Sequence, residues 1–151
     1  MERIEIRPAR SDEARAVADC VNAAYEHYVA RIGKKPAPML ADYPALIVDG
    51  FVSVIPGKVG VRGVIVMMVE DDTLFIENVA VHPADQGRGL GRALMDYAEQ
   101  RARDANRDAI LLYTHERMSE NLTFYRNLGF VEIERRAEDG YDRVYLRKRL
   151  A

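Results

Sequence analysis

The stretch from Leu74 to Ala105 sets the tightest limit on what this chain can fold into. It begins LFIENVAVHP, continues ADQGRGLG and runs on into RALMDYAEQRARDANRDA. The first piece reads as a strand, rich in β-branched and aromatic residues and closed by His82-Pro83. The last reads as a helix, with Leu90, Leu94, Tyr97, Ala98, Arg101 and Ala105 at helical spacing. Between them, Gly87, Gly89 and Gly91 leave the backbone bare where the helix starts. A helix's first turn carries N–H groups without intrahelical partners and the positive end of the dipole. Bare amides at that place form an anion cradle, and phosphate is its usual guest.

Spacing separates the known strand–glycine–helix devices. A P-loop needs Gly-Lys followed by Ser or Thr, and no such tripeptide occurs. A dinucleotide fingerprint needs G-x-G-x-x-G, but after Gly87 and Gly89 the third position is Arg92. What remains is Q-x-x-G-x-G at Gln86, Gly89 and Gly91, preceded by Asn78-Val79-Ala80-Val81-His82-Pro83. That combination resembles the pyrophosphate-binding motif of the GNAT superfamily of acetyl-CoA-dependent N-acyltransferases.

A second stretch supports the likeness. Asn121-Leu122-Thr123-Phe124-Tyr125-Arg126-Asn127-Leu128-Gly129-Phe130 is similar to the GNAT helix carrying Tyr-x-x-x-Gly-Phe. In that family the tyrosine hydroxyl points at the sulfur of coenzyme A, which implies that role for Tyr125. Many members have asparagine seven positions before the tyrosine. This chain has Met118 there and an asparagine only four before, at Asn121. Residues 118, 121 and 125 share one helix face, so the likeness still turns Asn121 to the cofactor.

Element order agrees. A strand over 3–7 ended by Pro8 precedes a helix of about 21 residues, with Ser11 as N-cap, a break near Ala23-Ala24 and Gly33 as stop. Residues 33–44, GKKPAPMLADYP, read as a loop or a short helix between loops. Strands follow at 46–55, 59–70 and 74–82, then the helix after the glycine loop and a strand at 109–114. A helix at 118–127 ends at Gly129, and a final hairpin pairs 130–135 with 143–150. The order β-α-β-β-β-α-β-α-β-β predicts an α/β fold with a mixed sheet and one parallel pair in its middle. It is also the GNAT order, so the resemblance implies one N-acetyltransferase domain over 1–151, with that pair splayed.

The resemblance further implies acetyl-CoA as co-substrate and a primary amine as acceptor, with no metal. The donor lies against the Leu74–His82 strand. Val79, Ala80 and Val81 give it backbone contacts, the Val79 N–H facing the thioester carbonyl. Gln86, Gly87, Arg88, Gly89, Leu90, Gly91 and Arg92 wrap the pyrophosphate. Some members carry a glutamate base earlier on this strand, at the position of Phe75 here. Glu77 is the only carboxylate between Leu74 and His82, on the same strand face as Val79 and about 7 Å away. It is the candidate base, with a water chain as the alternative. Tyr25, Tyr28, Arg31, Met39 and Tyr43 are candidates for the acceptor wall. Transfer from a longer acyl-CoA, or a non-catalytic acyl-CoA-binding or regulatory domain, are the rival readings. The family also admits a homodimer.

Composition narrows the class. A net charge of −2 marks no nucleic-acid partner, and one cysteine, Cys20, excludes an internal disulfide. No apolar run reaches the ~18 residues of a membrane span, and MERIEIRPARSDEA does not read as a signal peptide. The expectation is a cytoplasmic protein. His27, His82 and His115 show neither metal nor triad spacing.

Overall fold

The computed structural model describes residues 3–151. In chain order, β1 (Arg7–Pro8) is followed by α1 (Ala14–Tyr25), α2 (Tyr28–Ile32) and α3 (Tyr43–Val48). Next come β2 (Val52–Pro56), β3 (Val61–Val69), β4 (Leu74–Val81) and α4 (Leu90–Asp104). The chain closes with β5 (Ala109–His115), α5 (Ser119–Asn127), β6 (Val131–Glu138) and β7 (Tyr141–Arg149). Short 3-10 helices occupy Ser11–Glu13, Ala37–Leu40 and Pro83–Asp85. Strands bond in the order β1-β2-β3-β4-β5-β7-β6. β4 and β5 pair in parallel, Leu74 opposite Ile110, Phe75 opposite Leu111 and Ile76 opposite Leu112. A parallel pair needs a crossover, and the glycine loop with α4 supplies it. The α/β fold with a mixed sheet and one parallel pair is therefore as expected.

The chain packs as two compact units. One comprises Met1–Met67 with Glu77–Ala98; the other comprises Met68–Ile76 with Glu99–Ala151. In the first, β2 pairs antiparallel with β3, Val54 opposite Val64. Val17, Val21, Val54, Val64, Ile65 and Leu94 are fully buried in that unit. The α1 stripe read from sequence thus faces inward. In the second, β7 pairs with β5 and with β6, over Leu74, Ile76, Ala102, Ile110, Leu112 and Leu146.

Several boundaries differ from the sequence reading. Alternation suggested a strand over 3–7; the observed pairing is Arg7 with Val54 and Pro8 with Ser53. Proline lies inside this short strand because an edge position needs no ladder donor from it. Ser11 does not cap the first helix. Glu13 stands at its N-cap without a side-chain cap bond. The Glu13 carboxylate closes the preceding 3-10 turn instead, accepting the Arg10 N–H at 2.8 Å and a two-pronged Arg7 guanidinium at 2.8 and 2.9 Å. The long helix breaks at Glu26-His27 rather than Ala23-Ala24, and Gly33 ends it at φ +92°. The expected strand from Leu46 is instead helix up to Val48. Asp42 accepts the Ala45 N–H at 3.1 Å and Pro44 stands in the first turn. That cap and proline start a helix which the β-branched Ile47-Val48 then join. The last hairpin is longer than read. Asp139 and Gly140, at φ 53° and 81°, form a two-residue turn of the primed kind.

Candidate active site

The glycine loop lies in the first unit. Gly87 and Gly89 adopt φ +80° and +79°, where an L side chain is strained, and a Cβ built on either meets nothing within 4 Å. Packing therefore does not explain these glycines; the backbone turn does, and it leaves open space beside the amides. Gln86 anchors the loop, donating from Nε2 to the Val81 carbonyl at 3.2 Å. The α4 ladder starts with Ala93 N–H to Gly89 carbonyl at 3.0 Å, so the N–H groups of Leu90, Gly91 and Arg92 lie ahead of it. Leu90 is buried and pins the start of the helix, whereas Arg88 and Arg92 are exposed.

Beside the loop is an open groove of about 880 Å³, whose walls include Lys58, Arg62 and Arg88. Asp85 is shared by two of these cations, 3.2 Å from Arg62 and 3.9 Å from Arg88. One carboxylate against three cations leaves the groove positive, which favours an anion at the loop. Lys58 and Arg62 carried no sequence signal, because one comes from the β2–β3 connection and the other from the start of β3. His82 is structural: its ring Nδ1 accepts the Ala84 N–H at 3.1 Å and its backbone N–H donates to the Arg62 carbonyl at 2.9 Å.

β4 alternates strictly: Leu74, Ile76, Asn78 and Ala80 are buried, while Phe75, Glu77, Val79 and Val81 are half-buried. Glu77 and Val79 thus share a face as read, and Ala80 falls on the other. Tyr25 and Tyr43, two of the expected acceptor-wall residues, converge on Asn78. The Tyr25 hydroxyl lies 2.9 Å from Asn78 Oδ1 and 2.8 Å from the Val79 carbonyl. Asn78 Nδ2 donates to the Tyr43 hydroxyl at 3.0 Å, which donates in turn to the Pro38 carbonyl at 2.5 Å. Burial raises the Tyr43 pKa and the Glu77 charge adds to the rise, so the phenol stays protonated beside a carboxylate. Of the other residues expected at the acceptor wall, Tyr28 is buried with the Arg31 guanidinium 5.0 Å from its ring centre, and Met39 is half-buried. Cys20 is buried, and desolvation pushes its thiol up to about 12, as fits an inert core residue.

Tyr125 and Asn121 belong to the second unit. Tyr125 is buried on α5 between Phe124 and Phe130, ring centres 5.3 and 5.7 Å away. Desolvation raises its phenol pKa. Asn121 is half-buried, its Nδ2 3.5 Å from Thr114 Oγ1 and 3.6 Å from Met118 Sδ. Met118 stands at the N-cap rather than on the helix, and its sulfur accepts from Thr114 at 3.5 Å. The position usually held by asparagine therefore carries a buried thioether. Among the described residues no group of three or more His, Cys, Asp or Glu side chains gathers as a metal site. No helix among them is long and apolar enough to cross a membrane.

These features define an acyltransferase architecture, and comparison with known proteins gives the family. The family model described as "Acetyltransferase (GNAT) domain" matches residues 45–132. The chain belongs to the GNAT acetyltransferases. Among solved structures it is similar to the PaiA N-acetyltransferase of Thermoplasma acidophilum in complex with coenzyme A, at TM-score 0.82 and 17% identity over 98% of this chain and 99% of that one. It is also similar to Ard1 of Thermoplasma volcanium (0.77, 21%, covering 98% of each). A third is YncA of Salmonella typhimurium, a putative acetyltransferase with acetyl-CoA (0.72, 20%, covering 99% and 95%). No curated protein sequence matches the chain.

Proposed function

We propose that this protein transfers an acetyl group from acetyl-CoA to a primary amine. The observation that carries this is the glycine loop: two left-handed glycines with open space beside them, at the N-terminus of α4 and next to a positive groove. The loop amides of residues 86–92 hold the pyrophosphate, with Arg88 and Arg92 adding charge. Val79, Ala80 and Val81 offer backbone contacts to the pantetheine arm, and Asn121 a further polar contact. Two structures of the same fold hold coenzyme A or acetyl-CoA.

When bound, the donor supplies a thioester carbonyl for the amine to attack and a thiolate to leave. The Val79 N–H donates to the oxygen on which negative charge develops. Glu77 takes the proton that the attacking amine must lose, directly or through a water. A free alkylamine near pKa ~10 is mostly protonated at neutral pH, so an adjacent carboxylate both attracts the cation and accepts its proton. Tyr125 donates to the leaving sulfur. Its raised pKa favours a hydrogen bond to the thiolate over complete proton transfer, since the thiol itself titrates near ~8.5.

The test is coenzyme A release from acetyl-CoA measured against amines spanning polyamines, amino acids, aminoglycosides and peptide N-termini. At least one should turn over well above hydrolysis. Coenzyme A binding with no transfer to any of them would favour a non-catalytic acyl-CoA-binding domain.

A further inference from the structure

Tyr25 touches the backbone of β4. It reaches from α1 to a chain position 54 residues away and places its hydroxyl 2.8 Å from the Val79 carbonyl. The same hydroxyl lies 2.9 Å from the side-chain oxygen of Asn78, the preceding residue. In an extended strand a residue's carbonyl and N–H project from the same edge. Tyr25 therefore occupies the carbonyl of the residue whose N–H is assigned above to the acyl oxygen. Asn78 is buried, and Tyr43 holds its amide at 3.0 Å. The Tyr25 hydroxyl itself thus meets the chain on both sides of the Val79 Cα, at the Val79 carbonyl and at the Asn78 side-chain oxygen.

We propose that Tyr25 is a positioning residue for acyl transfer: its hydroxyl fixes the Val79 backbone so that the N–H is preset for the developing oxyanion. This rests on the reading of function above. Preset donors need no reorganisation during the reaction, which is why one such group changes the rate of the chemical step. Tyr43 has a different part. Its bond to the Pro38 carbonyl ties the Ala37–Leu40 turn to the same hub, so it holds acceptor-side chain rather than the Val79 peptide.

The experiment compares Tyr25→Phe with Tyr43→Phe on any amine the wild type accepts, alongside backbone amide exchange followed by NMR. Tyr25→Phe should lower kcat about 10-fold, within the range seen for single polar contacts in catalysis. Coenzyme A affinity and the amine KM should stay within about twofold, and the Val79 amide should exchange faster. Tyr43→Phe should instead raise the amine KM and leave Val79 exchange as in the wild type. A Tyr25→Phe enzyme with full kcat, or with the same kinetic pattern as Tyr43→Phe, overturns the proposal. A wild type that transfers to no amine ends the functional reading instead. In that case a Val79 exchange rate unmoved by Tyr25→Phe ends the positioning claim separately.

Discussion

The glycine loop and the Tyr25–Asn78–Tyr43 hub both belong to the unit that holds the end of β4, and they are built on opposite principles. The loop is exposed, and a Cβ added at Gly87 or Gly89 would touch nothing. Its structure is a backbone conformation with open space beside it. The hub is buried, and its hydroxyls and amide are bonded to one another or to main-chain carbonyls. An unsatisfied buried polar group costs about 1–3 kcal/mol, so the hub had to close on itself. An open backbone turn and a closed polar cluster thus look different: one keeps space beside its amides, the other bonds its polar groups inward.

This difference can be broken at the loop first. Gly89→Glu places a strained side chain and a negative charge in the open space. Coenzyme A affinity should fall about 10³-fold, or about 4 kcal/mol, while circular dichroism stays native because nothing packs there. A variant that binds normally would mean the space is not the phosphate site.

Tyr125→Phe should come next in size. It keeps the ring between Phe124 and Phe130 and removes only the hydroxyl. The expected loss is about 10²-fold in kcat, with coenzyme A affinity nearly unchanged. Full kcat would make Tyr125 a packing residue and leave its motif a mark of ancestry.

Glu77→Gln tests whether the carboxylate beside the hub takes the amine proton. The loss in kcat/KM should be about 10-fold near neutral pH and shrink as pH approaches the amine pKa near ~10. A loss equal at every pH would point to substrate attraction rather than proton removal.

The loop's conformation was legible in the sequence because its pattern is local. Consecutive residues at 86–92 hold the glycines, the anchor Gln86 and the start of the helix. Tyr125 was legible for the same reason, within one helix and its glycine stop. The hub was not. Tyr25, Asn78 and Tyr43 lie far apart in the chain, and only folding makes them neighbours. Asn78 opens the segment before the glycine loop, yet alternation shows only that it faces inward, not what it meets. The α3 helix was missed differently: Leu46-Ile47-Val48 reads as strand by propensity, and the Asp42 cap with Pro44 outweighs it. Lys58 and Arg62 were invisible because surface cations have no pattern until a groove gathers them.

A satisfied cluster away from the chemistry calibrates the comparison. Hydrogen bonds from Arg7 and the Arg10 amide hold Glu13 down to about 2 against the ordinary 4.5. Its side chain is 11% exposed, so screening is slight. A depressed folded pKa gives stability that is complete above the unfolded value and is lost as pH falls through the folded one. Glu13→Gln should therefore cost about 2–3 kcal/mol at pH 7. That cost should shrink between about pH 4.5 and 2, read from urea melts across that range. Activity per folded molecule should not change; a kcat loss would tie this clamp to the site.

Calorimetric titration of the wild type with coenzyme A, 3′-dephospho-coenzyme A and pantetheine tests the central claim that the loop holds the pyrophosphate. The first two keep that group and should bind within about 10-fold of each other; pantetheine should bind at least about 100-fold more weakly, about 2.7 kcal/mol. Repeating the series on Gly89→Glu should erase the gap. Pantetheine binding the wild type as tightly as coenzyme A would contradict the account.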